Sequence, residues 1–272
     1  MPDHAIRIDS LHKSFPPVHT GWRAFLQPFA APTSPALRNV SLALSQGEAV
    51  ALLGTNGAGK TTLLRILATL LLPTGGTAMV AGHDAVRDPA AVRRQIGYHA
   101  GSDLGFYARL TGRENLRFFG RLNHLDDAHL CKRIPELAER FELQASLDRQ
   151  MRALSSGVIQ RISLLRAILH EPRVLLLDEP TRSLDAIAAA EFRSFLKAEI
   201  LKKQGTALLF ASHTLSEIEM LADRVAILNE GVLVALDTPE NLKTRCGVAT
   251  LEQAFCRLTG HSSQALQEQV SP

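Results

Sequence analysis

The sequence predicts an α/β fold with a parallel central sheet, an antiparallel β layer on its N-terminal side and an α-helical subdomain inserted in the core. Three observations predict it. The apolar run Ala49-Val50-Ala51-Leu52-Leu53 passes through a glycine-rich turn into the helical pattern Leu63-Leu64-Arg65-Ile66-Leu67-Ala68. Apolar runs at 174–177 and 207–211 alternate with helices, and the first is apolar throughout, as a strand covered on both faces must be. From about Asp88 to Leu154 the periodicity changes to that of amphipathic helices.

The first strand spans Ile6 to Ile8, where apolar and polar residues alternate. Residues 16–35 contain five prolines, with Trp22, Phe25, Leu26 and Phe29 at helical spacing; that stripe either packs on its own domain or docks a partner. Residues 36–44 alternate again, and Gly47-Glu48 turns the chain into the strand at 49–53. One more short strand lies between the glycines at 75–76 and Gly82. In the helical region Thr111-x-x-Glu114 is a capping box, and the segment from Asp126 to Leu143 carries Leu130, Ile134, Leu137, Ala138 and Phe141 on one face. Ser155 opens a helix that runs to His170 and stops at Pro172. A helix from about Asp185 to Lys203, a strand at 207–211, a helix capped by Thr214-x-x-Glu217 and a hairpin across Asn229-Glu230-Gly231 complete the core. From Thr238 one or two helices lead to a polar terminus.

With 272 residues the chain is long enough for one large domain or two small ones and needs no staples to hold a core. Its 46% hydrophobic and 21% charged residues are ordinary for a globular protein, and a scattered net charge of +3 gives nucleic-acid binding no support. Cys131, Cys246 and Cys256 are odd in number and lack C-x-x-C spacing, which argues against disulfides or zinc and for a reducing compartment. The start has no signal-peptide pattern, and no apolar run is long enough to span a bilayer. Work at a membrane would require a separate spanning subunit.

The chemistry begins at Gly54-Thr55-Asn56-Gly57-Ala58-Gly59-Lys60-Thr61-Thr62, a full G-x-x-x-x-G-K-T match between a strand and a helix. The glycines admit an anion close to the backbone, whose N–H groups, with the helix's positive end, face the phosphates. Lys60 would reach the β and γ phosphates and Thr61 would ligate Mg²⁺. A turn that merely joins strand to helix is the competing reading, and the complete match in this context disfavours it. The strand at 174–177 ends in Asp178-Glu179, placed to hold Mg²⁺ and to deprotonate an attacking water, although acidic residues after a strand also serve as helix caps. Leu154-Ser155-Ser156-Gly157-Val158-Ile159-Gln160-Arg161 puts hydroxyls and a glycine at a helix start; alone it is an N-cap.

Together these motifs resemble the nucleotide-binding subunit of ABC transporters, over about residues 6–240. Gly54 to Thr61 resembles the Walker A motif, Leu175 to Glu179 Walker B, Leu154 to Gln160 the family signature, Ser183-Leu184-Asp185 the D-loop and His213 the switch histidine. The resemblance implies a P-loop NTPase (RecA-like) core in an ATPase domain at 1–240, with the helical subdomain at about 88–170 and a short helical tail at 241–272. It implies a homodimer, or a heterodimer with a paralogue, that sandwiches two ATP and drives an integral membrane permease, without nucleic acid, at the cytoplasmic face of the membrane. Residues 54–62 would then hold the phosphates, with Phe15 stacked on adenine and Thr61 and Asp178 on Mg²⁺. Ser155, Ser156, Gly157 and Asp185 would complete the partner's ATP site, Glu179 would be the general base, and Lys60 and His213 would hold the γ-phosphate. The stretch at 103–116, the late Thr250-Leu251-Glu252-Gln253-Ala254-Phe255 and the Pro-rich insertion look like the ABC-2 branch of drug and polysaccharide exporters.

Two departures stand out. After Ile96-Gly97-Tyr98-His99-Ala100 the family places a glutamine, and this chain has Gly101, so Ser102 or Asp103 substitutes or hydrolysis is slow. The signature has Ser156 for a glycine and Val158 for a glutamine. A degenerate ATP-gated scaffold is therefore the competing reading; a soluble ABC protein acting on ribosomes or DNA is disfavoured, since a second nucleotide domain and long coiled coils are missing.

Overall fold

The computed structural model describes residues 4–16, 34–101 and 105–260. Strands β1 (His4–Phe15) and β2 (Ser34–Ser45) pair antiparallel, Ile6 opposite Leu44 and Ile8 opposite Leu42. Ser10 takes a positive φ of 48° where the register shifts, so the inward side resumes at Leu11 after Ile6 and Ile8. Next come β3 (Ala49–Leu53), helix α1 (Lys60–Leu67), β4 (Gly75–Val80) and β5 (His83–Asp84). The first sheet has the order β2-β1-β4-β5.

Helix α2 (Pro89–Gln95), capped by Asp88, runs into β6 (Ile96–His99), and α3 (Gly112–Leu122), α4 (Asp127–Arg140) and α5 (Gln144–Leu147) form the helical layer. Helix α6 (Ser156–Ile168) leads to β7 (Val174–Asp178), and α7 (Ala186–Phe195) to β8 (Ala207–Ala211). Then follow α8 (Leu215–Leu221), β9 (Arg224–Asn229), β10 (Val232–Asp237), α9 (Pro239–Cys246) and α10 (Leu251–Thr259). The second sheet has the order β10-β9-β3-β8-β7-β6, parallel except for the hairpin strand β10.

This second sheet divides two cores. Ala49, Ala51 and Leu53 of β3, with Leu175 and Leu177 of β7, face a cluster built with Leu116, Leu137, Leu165 and Phe192 from the helices. Val50, Leu52, Val174 and Leu176 point the other way, to Leu63 and Leu64 of α1 and to Ile6 and Leu44 of the antiparallel sheet. The period of two along each strand thus fills both faces, which is why these runs carry no polar residue. Each buried Val, Leu, Ile or Phe side chain among them contributes about 1.5–3 kcal/mol relative to exposure. The α/β class, the antiparallel layer and the terminal hairpin are as the sequence predicts.

Three expectations need correction. Ile96–His99, within the stretch read as helical from Asp88, is a strand pairing with β7, because Ile96 and His99 bury against the sheet. The capping box at Thr111 and Glu114 forms, but Thr214 makes no side-chain cap; its supposed partner Glu217 is buried and turned elsewhere. The helix read over 185–203 starts after its cap at Asp185 and passes into π-helical turns at Leu196–Lys203. The aromatic stripe at 22–29, Ser102, Asp103 and the polar terminus lie outside the described residues.

Candidate nucleotide site

The site forms where β3, β7 and β8 end side by side. Leu52 and Asp178 both pair with Ala211, so the turns after the three strands open at one level. Beyond β3 the chain makes the glycine-rich turn. A Cβ on Gly54 would collide with Leu228 O, and one on Gly59 would come 2.5 Å from Ala36 O. Gly59, at φ +105°, is the N-cap of α1, and the first turn of that helix has neither a side-chain cap nor an acidic residue. Its positive end is open to an anion. Asn56 and Gly57 are exposed, Thr55, Thr61 and Thr62 half-buried, and Ala58 buried.

Lys60 is buried, its Nζ donating to Gly54 O at 2.5 Å and Thr55 O at 3.1 Å. Burial lowers its pKa, against the pull of Glu179 and Asp178. Across from it Asp178 ends β7, only 7% exposed. Burial raises the Asp178 pKa, opposed by a hydrogen bond from Thr61 and by the charges of Lys60 and Arg65. A buried carboxylate beside a hydroxyl at the mouth of a phosphate-type loop is a donor set suited to Mg²⁺.

Glu179 adopts a left-handed φ of +50° and donates its N–H to Ala211 O at 3.0 Å. Its Oε2 lies 2.7 Å from His213 Nδ1, just past β8. The structure therefore brings Lys60, Thr61, Asp178, Glu179 and His213 together. Of the sequence-predicted residues outside the 54–62 loop, Phe15, Ser155, Ser156, Gly157 and Asp185 are not part of this cluster. Ser155 is the exposed N-cap of α6, yet its hydroxyl makes no cap hydrogen bond, which leaves it available to a ligand. Ser156 follows, also exposed, and Gly157 lies against Ser183 O. Asp185 accepts from Ile187 and Ala188 N–H at the start of α7, and these backbone bonds lower its pKa. Phe15 is exposed at the end of β1, with Lys13 Nζ 5.0 Å from its ring centre.

Gly101 is more than an absent side chain. It has φ +65°, and a Cβ there would approach Asp178 O to 2.6 Å. Gly101→Gln is expected to lose at least about 1–2 kcal/mol of stability from the left-handed backbone alone, with no gain in ATP turnover. Thermal unfolding and ATPase rates check this; a stable, faster variant would show that the loop re-forms around a glutamine.

Sequence reasoning missed two buried polar groups beneath the site. Glu217 accepts a hydrogen bond from Ser212 Oγ at 2.6 Å and another from the Thr181 side chain, tying the loop of His213 to the turn after Glu179. Its signal was the glutamate of a spacing that resembles a capping box. His99 is fully buried and meets Ser163 Oγ and Gln160 Nε2. Burial, aided by the Arg166 charge, lowers its pKa from 6.5 to about 4. The unfolded chain therefore binds a proton near pH 6.5 that the folded chain resists until about pH 4. Above this window His99 costs nothing; as pH falls through it, stability drops by about 3 kcal/mol. A His99→Gln variant should show a correspondingly flatter fall in denaturant-measured stability between pH 7 and 4, and parallel curves for the two chains would contradict it.

In comparisons with known proteins, the ABC transporter family matches residues 37–182. The chain is 40% identical over 207 residues to the ABC transporter ATP-binding protein NatA of Bacillus subtilis (strain 168), covering 76% of this chain and 83% of NatA. It is 40% identical over 212 residues to the daunorubicin resistance ATP-binding protein DrrA3 of Streptomyces coeruleorubidus, covering 78% of this chain and 66% of DrrA3. Among solved structures, a dimeric ATP-binding cassette in a post-hydrolysis state with ADP and Pi has the same fold, with a TM-score of 0.75 at 23% identity over 86% of this chain and 98% of the other.

Proposed function

Because this chain belongs to the ABC transporter family, whose ATP-binding subunits hydrolyse ATP, we propose that it is the ATP-driven motor of an exporter, acting on a separate ABC-2 type membrane permease at the cytoplasmic face of the membrane. The observation that carries the reading is the contact between Glu179 and His213, 2.7 Å apart beside Lys60, Thr61 and Asp178. The drug-resistance name of DrrA3 supports export. No helix among the described residues is long and apolar enough to cross a membrane, so the membrane part is assigned to the permease.

In this reading Lys60 leaves its own loop carbonyls for the β and γ phosphates, and the backbone N–H groups of residues 57–62 cradle them. Thr61 and Asp178 would hold Mg²⁺, which would supply neutralising charge at the phosphates. Glu179 takes the proton of the attacking water, and the Nδ1–H bond of His213 keeps the carboxylate oriented. Ser155, Ser156, Gly157 and Asp185 serve the ATP held by a partner subunit, a second copy or a paralogue. The uncapped Ser155 hydroxyl and the dimeric state of a cassette with the same fold support that assignment. Phe15 stacks on adenine once Lys13 moves off its ring.

Gly101 favours one alternative, an ATP-gated scaffold with little turnover. MgATP hydrolysis and dimer formation by the parent and by Glu179→Gln, with the permease present, test the proposal. An ATP-dependent dimer that hydrolyses in the parent and stalls in the variant supports it. A parent dimer without turnover favours the scaffold.

A further inference from the structure

A buried polar chain connects the end of β6 to the turn that carries Glu179. The amide nitrogen of Gln160, on α6, donates to Pro180 O at 3.0 Å and lies 3.3 Å from His99 Nε2. Because Pro180 O is only an acceptor, it fixes which end of the Gln160 amide faces it. The second N–H of that nitrogen then points at His99 Nε2, which must accept. His99 therefore carries its proton on Nδ1 and donates it to Ser163 Oγ at 3.1 Å. A neutral, buried imidazole is consistent with its lowered pKa. His99, Gln160 and Ser163 are each buried, with exposures of 0%, 2% and 1%, and so are costly to place there unless mutually satisfied.

What this chain holds is the strained point of the site. Glu179 is left-handed at φ +50° and is not glycine, a conformation that costs about 1–2 kcal/mol and persists only when its surroundings over-determine it. On one side its own N–H is tied to Ala211 O of β8. On the other, the next residue's carbonyl is tied to Gln160.

We propose that Gln160, oriented by His99, is a positioning residue for Glu179: it pins the Glu179-Pro180 turn so that the carboxylate reaches His213. The proposal rests on the reading of Glu179 as the base. It also gives the first turns of α6 two tasks: in the proposed dimer Ser155 at its start serves the partner's nucleotide, while Gln160, just over a turn on, secures its own subunit's carboxylate.

The test uses the full chain with its permease. Gln160→Leu keeps the volume and removes the amide; kcat is expected to fall about tenfold while the ATP dissociation constant stays within about twofold. His99→Leu should lower kcat in the same direction, and the double variant should be no slower than Gln160→Leu, because His99 acts through Gln160. His99→Gln, which keeps an acceptor for the amide, should recover most of the rate lost in His99→Leu. If Gln160→Leu fails to fold, the two His99 variants decide alone: recovery by glutamine but not leucine supports the proposal, and equal rates overturn it. A parental kcat in Gln160→Leu, a loss of ATP affinity in step with kcat, or losses that multiply in the double variant also overturn it. Glu179→Gln is measured alongside. If it hydrolyses ATP at the parental rate, both the base assignment and this proposal fall; if it is inactive while Gln160→Leu is unimpaired, only the positioning role falls.

Discussion

Glu179→Gln is expected to lower MgATP hydrolysis by about a hundredfold to ten-thousandfold, the range lost with a general base, while ATP affinity stays within a few-fold. The substitution is nearly isosteric. A glutamine oxygen can still accept from His213 Nδ1, at the position where Glu179 Oε2 now lies 2.7 Å away, so the loop of His213 keeps its anchor. What disappears is the carboxylate that takes a proton from water. Binding should survive because the phosphate loop, Lys60 and Asp178 are untouched, and an ATP-bound dimer should accumulate because the step that opens it is blocked. Single-turnover hydrolysis and size-exclusion chromatography with and without ATP measure the two halves. Hydrolysis at the parental rate would move the base elsewhere.

Lys60→Met should act mainly on the nucleotide-bound chain and little on the free one. The Lys60 ammonium is buried, and desolvation is the leading cause of its lowered pKa, so the folded protein holds this charge at a cost despite Glu179 and Asp178. Methionine keeps the apolar stem and removes the buried charge, but it also removes the hydrogen bonds to Gly54 O and Thr55 O, so relief and loss offset and the nucleotide-free variant should unfold close to the parent. ATP, in contrast, loses charge-assisted hydrogen bonds worth about 1.5–3 kcal/mol each. Two of them correspond to a hundredfold or greater loss of affinity. The thermal shift produced by saturating ATP in the parent should therefore nearly vanish in the variant. A variant that melts early without nucleotide, or binds ATP normally, would show that Lys60 supports the loop and not the ligand.

How much of this was legible in the sequence depends on the range of the cause. The turn at 54–60 was readable because its glycines and lysine are constrained within a few residues, and the strand at 174–178 because both faces of a central strand must be apolar. The capping box at Thr111 is equally local and forms as read. The same spacing at Thr214 misled, because Glu217 is drawn to Ser212 and Thr181 by burial. Ile96–His99 was hard to place for the same reason: four residues carry too little periodicity to reveal a strand whose hydrogen bonds lie with β7, nearly 80 residues on.

The sequence by itself determined the α/β class, the phosphate loop and the acidic strand end, all of them patterns closed over short spans or imposed by two-sided burial. The tertiary structure alone decided that Glu179 meets His213, that Gly101 is held against the Asp178 carbonyl in a backbone few other residues adopt, and that Gln160, backed by His99, reaches the turn after Glu179. Those contacts join residues tens of positions apart through sheet register and buried hydrogen bonds, and no local propensity encodes which distant partner a buried polar group will find.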